Sequence, residues 1–119
     1  MSALVIYHNP KCSKSRETLQ LIEEKNVEVE IIEYLSATPT KEKILQLFEL
    51  LNVEPLEMMR VKESRFAELE LSTSDVKTKQ EWATILSENP ILIERPIVVT
   101  EGKAIIGRPP ELVLELIKS

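Results

Sequence analysis

The feature that most constrains this chain is a pair of strand-like runs joined by a helical stretch. Leu4-Val5-Ile6-Tyr7 is a short apolar run ended by His8-Asn9-Pro10, and it reads as a buried strand entering a turn. From Ser13 onward Thr18, Leu19 and Ile22 recur at helical spacing, and the pattern fades at Lys25-Asn26. Val27-Glu28-Val29-Glu30-Ile31-Ile32-Glu33-Tyr34 then alternates well enough for a second strand. A connection of this length, with a helix inside it, favours parallel strands, so the chain opens as a β-α-β unit.

The rest of the chain limits the fold further. Thr38-Pro39-Thr40 is a helix-start signal, and behind it Ile44, Leu47, Phe48 and Leu51 fall on one face of an amphipathic helix. Residues 55–89 read as short helices and loops, with Trp82, Ile85 and Leu86 marking another apolar helical face. Pro96-Ile97-Val98-Val99-Thr100 and Ala104-Ile105-Ile106-Gly107 flank Glu101-Gly102-Lys103 as a β-hairpin. Pro109-Pro110 opens a last helix, with Leu112, Val113, Leu116 and Ile117 expected on its inner side. The order is α/β: β-α-β, an all-helical insertion over about residues 38–89, then β-β-α. This is the element order of the thioredoxin fold, in which the turn after the first strand lies at the active site. With 119 residues, a single domain spanning 1–119 is expected.

Composition excludes several functions. Hydrophobic content of 43% and charged content of 29% are those of an ordinary soluble protein. No run approaches the roughly 18 apolar residues of a membrane span. The start of the chain lacks the pattern of a signal peptide, and a lone cysteine cannot form an internal disulfide, so a reducing, cytoplasmic location is expected. A net charge of −5 without a basic tract argues against nucleic-acid binding. It also means that an anionic substrate would have to be held locally, by arginines or backbone N–H groups.

Cys12 lies between the first strand and the first helix, in His8-Asn9-Pro10-Lys11-Cys12-Ser13-Lys14-Ser15-Arg16. Free N–H groups and the positive end of the helix dipole favour a thiolate there, and the same N–H groups suit a tetrahedral anion. Lys11, Lys14 and Arg16 add positive charge. An inert buried cysteine is the competing reading, and the polar and charged neighbours weaken it. Position 15 is Ser, so a Cys-x-x-Cys dithiol cycle is closed, and the second sulfur of any disulfide must come from outside, such as glutathione or a partner protein. Position 18 is Thr rather than the Arg that a low-molecular-weight phosphatase loop would require. His8, the only histidine, either raises the potential at the thiol or relays a proton, or else is a turn residue bonded to nearby backbone. Ser15 is either a donor to the thiolate or an ordinary first-turn serine.

Among the arginines, Arg95 and Arg108 occupy unusual contexts. Arg95 stands between Ile91-Leu92-Ile93-Glu94 and Pro96-Ile97-Val98-Val99, and Arg108 between Gly107 and Pro109. Both suit fork donation to a tetrahedral oxyanion, as does Arg60 after Met58-Met59; the alternative for each is a surface ion pair. In a thioredoxin-like fold a proline before the third strand often follows a cis peptide, which would put residue 95 beside the cysteine loop.

Three blocks then come together. Tyr7-His8-Asn9-Pro10-x-Cys12-x-x-Ser15-Arg16, Asn89-Pro90-Ile91-Leu92-Ile93-x-Arg95-Pro96-Ile97-Val98-Val99 and Arg108-Pro109 resemble the ArsC family of glutaredoxin-coupled arsenate reductases, most closely its short bacterial members. The resemblance implies a thioredoxin-like core with a helical insertion. It implies that Cys12 attacks arsenate to form a thiolate–arsenate adduct, that glutathione displaces an oxygen, and that glutaredoxin reduces the mixed species to release arsenite. It assigns anion binding to Arg60, Arg95 and Arg108, lowering of the thiol pKa to His8, and thiolate support to Ser15. It implies no metal and no tightly bound cofactor, with glutathione a cosubstrate, and a monomer is expected. Two alternatives stay open. Spx regulators share the fold and bind RNA polymerase, but usually carry Cys-x-x-Cys. A thiol transferase acting on glutathione mixed disulfides would need no arginine triad.

Overall fold

The computed structural model describes residues 4–100, 102–107 and 110–117. These fall into two compact units. The first takes the chain through Ala37 and again from Arg95 onward, and the second is Thr38–Glu94.

The first unit holds a four-stranded sheet of order β2-β1-β3-β4, with β1 Leu4–His8, β2 Val29–Glu33, β3 Ile97–Thr100 and β4 Lys103–Ile106. β1 pairs with β2 in parallel, Ile6 opposite Ile31, across the helix α1, Ser13–Glu24. On its other side β1 pairs antiparallel with β3, Ile6 opposite Val98, and β3 turns back into β4. Gly102 sits in that hairpin turn at φ +68°, a conformation that suits glycine. The core gathers Leu4, Ile6 and Val98 from the sheet with Ile22 from α1 and Val113 and Leu116 from α5, Val113–Ile117. β2 is an edge strand, and Ile31 on it is 44% exposed, so its alternation is imperfect.

Leu112 was expected on the inner face of the last helix but is 40% exposed. Pro110–Leu112 form a 3-10 turn ahead of α5, and the tighter winding moves Leu112 out of phase with Val113 and Leu116.

The second unit is helical, as the sequence suggests. α2, Lys41–Leu51, packs on α4, Lys79–Glu88, with Ile44, Leu47 and Phe48 buried on one and Trp82, Ala83 and Leu86 on the other. Both helices start at a threonine cap: Thr40 Oγ1 accepts from Lys43 N–H, and Thr78 forms a capping box with Glu81. Between them lie a 3-10 turn at Pro55–Met58 and a short α3, Ser64–Glu68. Met59 pairs with Ile93 in an isolated antiparallel bridge, flanked by Arg60 N–H to Leu92 O at 2.8 Å and Glu94 N–H to Met58 O at 2.8 Å.

Candidate active site

Cys12 is the residue that precedes α1, with extended backbone (φ −99°, ψ 124°), so its side chain meets amides that have no partner within the helix. The loop that presents it is tightly tied. Cys12 N–H donates to Asn9 O at 3.0 Å, Lys11 N–H to Asn9 Oδ1 at 3.0 Å, and Arg16 Nη1 to Pro10 O at 2.9 Å. Burial alone pushes the thiol pKa up. The Ser15 N–H, the Arg95 charge, the Lys14 N–H and a hydrogen bond from the Arg95 side chain outweigh it, and Cys12 lies below an ordinary thiol.

Ser15 is fully buried, and its hydroxyl faces the end of β1. Its Oγ accepts from Asn9 N–H at 3.0 Å and lies 2.7 Å from His8 Nδ1. His8 is buried too, and its side-chain partner is this hydroxyl rather than a backbone group. Burial lowers the His8 pKa; Glu33 and Glu23 oppose that, and the nearby Arg16 charge reinforces it. An imidazole held neutral is a hydrogen-bonding partner for Ser15 rather than a standing positive charge beside the thiol.

Arg95 is only 9% exposed, and the peptide joining it to Pro96 is cis, as the sequence suggests. Its charge and a hydrogen bond from its side chain act on Cys12. Arg60 belongs to the second unit, where its Nη1 is 2.7 Å from Glu63 Oε2 in an ion pair. Arg108 lies outside the described residues. Cys12, His8, Ser15 and Arg95 are thus placed within one unit. Sequence reasoning missed the tying roles of Asn9 and of the exposed Arg16 side chain; the Asn9-Pro10 dipeptide is the only signal that pointed to the first.

Among the described residues no three His, Cys, Asp or Glu side chains gather as a metal site, and no helix is long and apolar enough to cross a membrane. The chemistry available is that of a thiolate facing two helix amides and a buried guanidinium: nucleophilic attack on an electrophile whose negative oxygens the same donors can hold.

Residues 7–116 match the model of the ArsC family. Over 113 residues the chain is 46% identical to an uncharacterised protein of Escherichia coli, covering 94% of each. Over 116 residues it is 41% identical to an arsenate reductase of Haemophilus influenzae, covering 97% of this chain and 99% of that protein. Among solved structures, an arsenate reductase from Vibrio cholerae superposes with a TM-score of 0.90 at 47% identity, covering 95% of this chain and 96% of the other.

Proposed function

The chain belongs to the ArsC family, and from that premise we propose that it reduces arsenate to arsenite, with Cys12 as nucleophile and glutathione and glutaredoxin as reductants. The observation that carries this reading is the lone thiol at the start of α1 with its pKa lowered beside the buried Arg95.

The Cys12 thiolate attacks arsenic, and an arsenate oxygen leaves as water to give a cysteinyl–arsenate adduct. The helix amides and Arg95 hold the remaining oxygens, with Arg60 and Arg108 as further donors by resemblance to the family. Glutathione displaces a second oxygen, again as water, and places its sulfur on arsenic. A glutaredoxin thiolate then attacks the glutathione sulfur. The electron pair of the sulfur–arsenic bond passes to arsenic, glutaredoxin and glutathione leave as a mixed disulfide, and hydrolysis of the remaining bond frees arsenite and Cys12. The outside thiols complete a cycle that Ser15, in place of a second cysteine, leaves open. In this reading Ser15 and His8 fix the loop around the thiolate. The enzyme works as a monomer in the cytoplasm, where the thiol stays reduced.

Arsenate-dependent NADPH oxidation with glutathione, glutaredoxin and glutathione reductase tests the proposal. Turnover by the wild type and none by Cys12→Ser is expected. Equal turnover by Cys12→Ser would remove Cys12 as nucleophile. Turnover on a glutathione mixed disulfide but none on arsenate would make the protein a thiol transferase.

A further inference from the structure

Gly107 directly follows β4 and is buried, and its N–H donates to Pro96 O at 2.8 Å. A Cβ built on it would stand 2.8 Å from Thr18 Oγ1, 2.9 Å from Pro96 Cγ and 3.2 Å from Thr18 Cγ2. Neither neighbour can move aside cheaply. Thr18 is fully buried in α1, and its Oγ1 donates to Lys14 O at 2.8 Å, so turning the side chain away breaks that bond. Pro96 is a buried residue with a rigid ring, and its carbonyl oxygen accepts the Gly107 N–H. The absent side chain therefore decides how closely two segments meet. One is the first turn of α1, whose Lys14 and Ser15 amides face Cys12; the other is the Arg95-Pro96 segment, whose guanidinium hydrogen-bonds the same thiol.

We propose that Gly107 is a positioning residue: by leaving no Cβ between Thr18 and Pro96 it lets the Arg95-Pro96 segment seat against α1 and so sets the approach of the Arg95 guanidinium to Cys12 Sγ. It touches neither the thiol nor the substrate and acts through Arg95. A methyl at this position is a wedge between Thr18 of the helix and Pro96, the residue that follows Arg95. The assignment rests on the reading of Cys12 as nucleophile, but its test does not need arsenate.

The rate of Cys12 alkylation by iodoacetamide is followed against pH in the wild type, Gly107→Ala, Arg95→Ala and the double variant. Gly107→Ala should raise the apparent thiol pKa by about one unit, about a tenfold loss of thiolate at a pH below the thiol pKa. In the Arg95→Ala background the same change should add little, because the group it displaces is gone. Since a wedge at a buried contact can prevent folding, the cycle is repeated with Thr18→Ala throughout. That removes the helix-side wall and leaves the methyl facing Pro96 alone. There Gly107→Ala should again raise the pKa, by less, and Arg95→Ala should again cancel the rise. A folded Ala-containing chain, in either background, whose profile matches its Gly107 counterpart overturns the proposal. So does a rise that persists undiminished without Arg95. Failure of arsenate turnover in a wild type whose alkylation cycle behaves as described would count against the proposed reaction and leave the positioning role standing.

Discussion

His8 Nδ1 and Ser15 Oγ stand 2.7 Å apart, and the same oxygen receives the Asn9 N–H at 3.0 Å. The last residue of β1 and the first turn of α1 are therefore joined through one buried hydroxyl, on either side of the loop that carries Cys12.

That link titrates. The His8 pKa is lowered by burial in the folded chain, so between the folded and unfolded values the unfolded chain binds more protons, and stability rises with pH there. The stabilisation is complete above the unfolded value, about 6.5, and is lost as pH falls toward the folded one. Thermal unfolding at pH 7.5 and 5.5 should show a larger fall for the wild type than for His8→Gln. One proton limits the difference in slope to about 1.4 kcal/mol per pH unit. Parallel slopes would leave His8 without the burial cost assigned to it.

Arg95→Ala removes both a charge and a hydrogen bond from the Cys12 thiolate. The alkylation midpoint should move up toward that of an ordinary thiol. Arsenate kcat/KM should fall by an amount equivalent to about 2 kcal/mol or more, the scale of a lost charge-assisted bond. An unchanged alkylation profile would show that the amides alone lower the pKa.

Arg60 is ion-paired with Glu63 at 2.7 Å, and this competes with any role in holding an oxyanion. Glu63→Gln should therefore lower the KM for arsenate, while Arg60→Ala should raise it and leave the Cys12 alkylation profile in place. If Arg60→Ala turns over arsenate with wild-type constants, the pair is a surface feature and the arsenate site lacks this arginine.

Thr78→Ala removes the capping box of α4. It should cost about 1 kcal/mol of stability, read as a lower urea midpoint, without a change in the thiol pKa. A shift in the alkylation profile would show that the site depends on α4, which none of the contacts made by Cys12, His8, Ser15 or Arg95 described above requires.

The parts of the molecule that were legible in the sequence are those with a period. Leu4–Tyr7, the helical repeat through Ile22, and the hairpin around Gly102 each carry their own pattern, and parallel pairing followed from the length of the connection. Leu112 was misplaced because a 3-10 turn has no signature distinct from the start of a helix, and one residue of phase decides which side is buried. Cys12 was legible from its place between a strand and a helix. The lowered His8 pKa, the Arg60–Glu63 pair and the Thr18–Gly107 approach were not, because each depends on a distance between side chains that no spacing encodes.

The first unit leaves off at Ala37 and resumes at Arg95, so pairing β1 with β3 closes a loop that contains the whole of the second. Such long-range pairing is the slow part of assembly, and on a ribosome it must wait until Arg95 has been made and has emerged. A nascent chain that has already formed β1, α1 and β2 has helix amides at Cys12 but no guanidinium. The pull of Arg95 on the Cys12 thiol is thus the last to be added, after that of the helix amides, because the guanidinium is supplied from beyond the second unit.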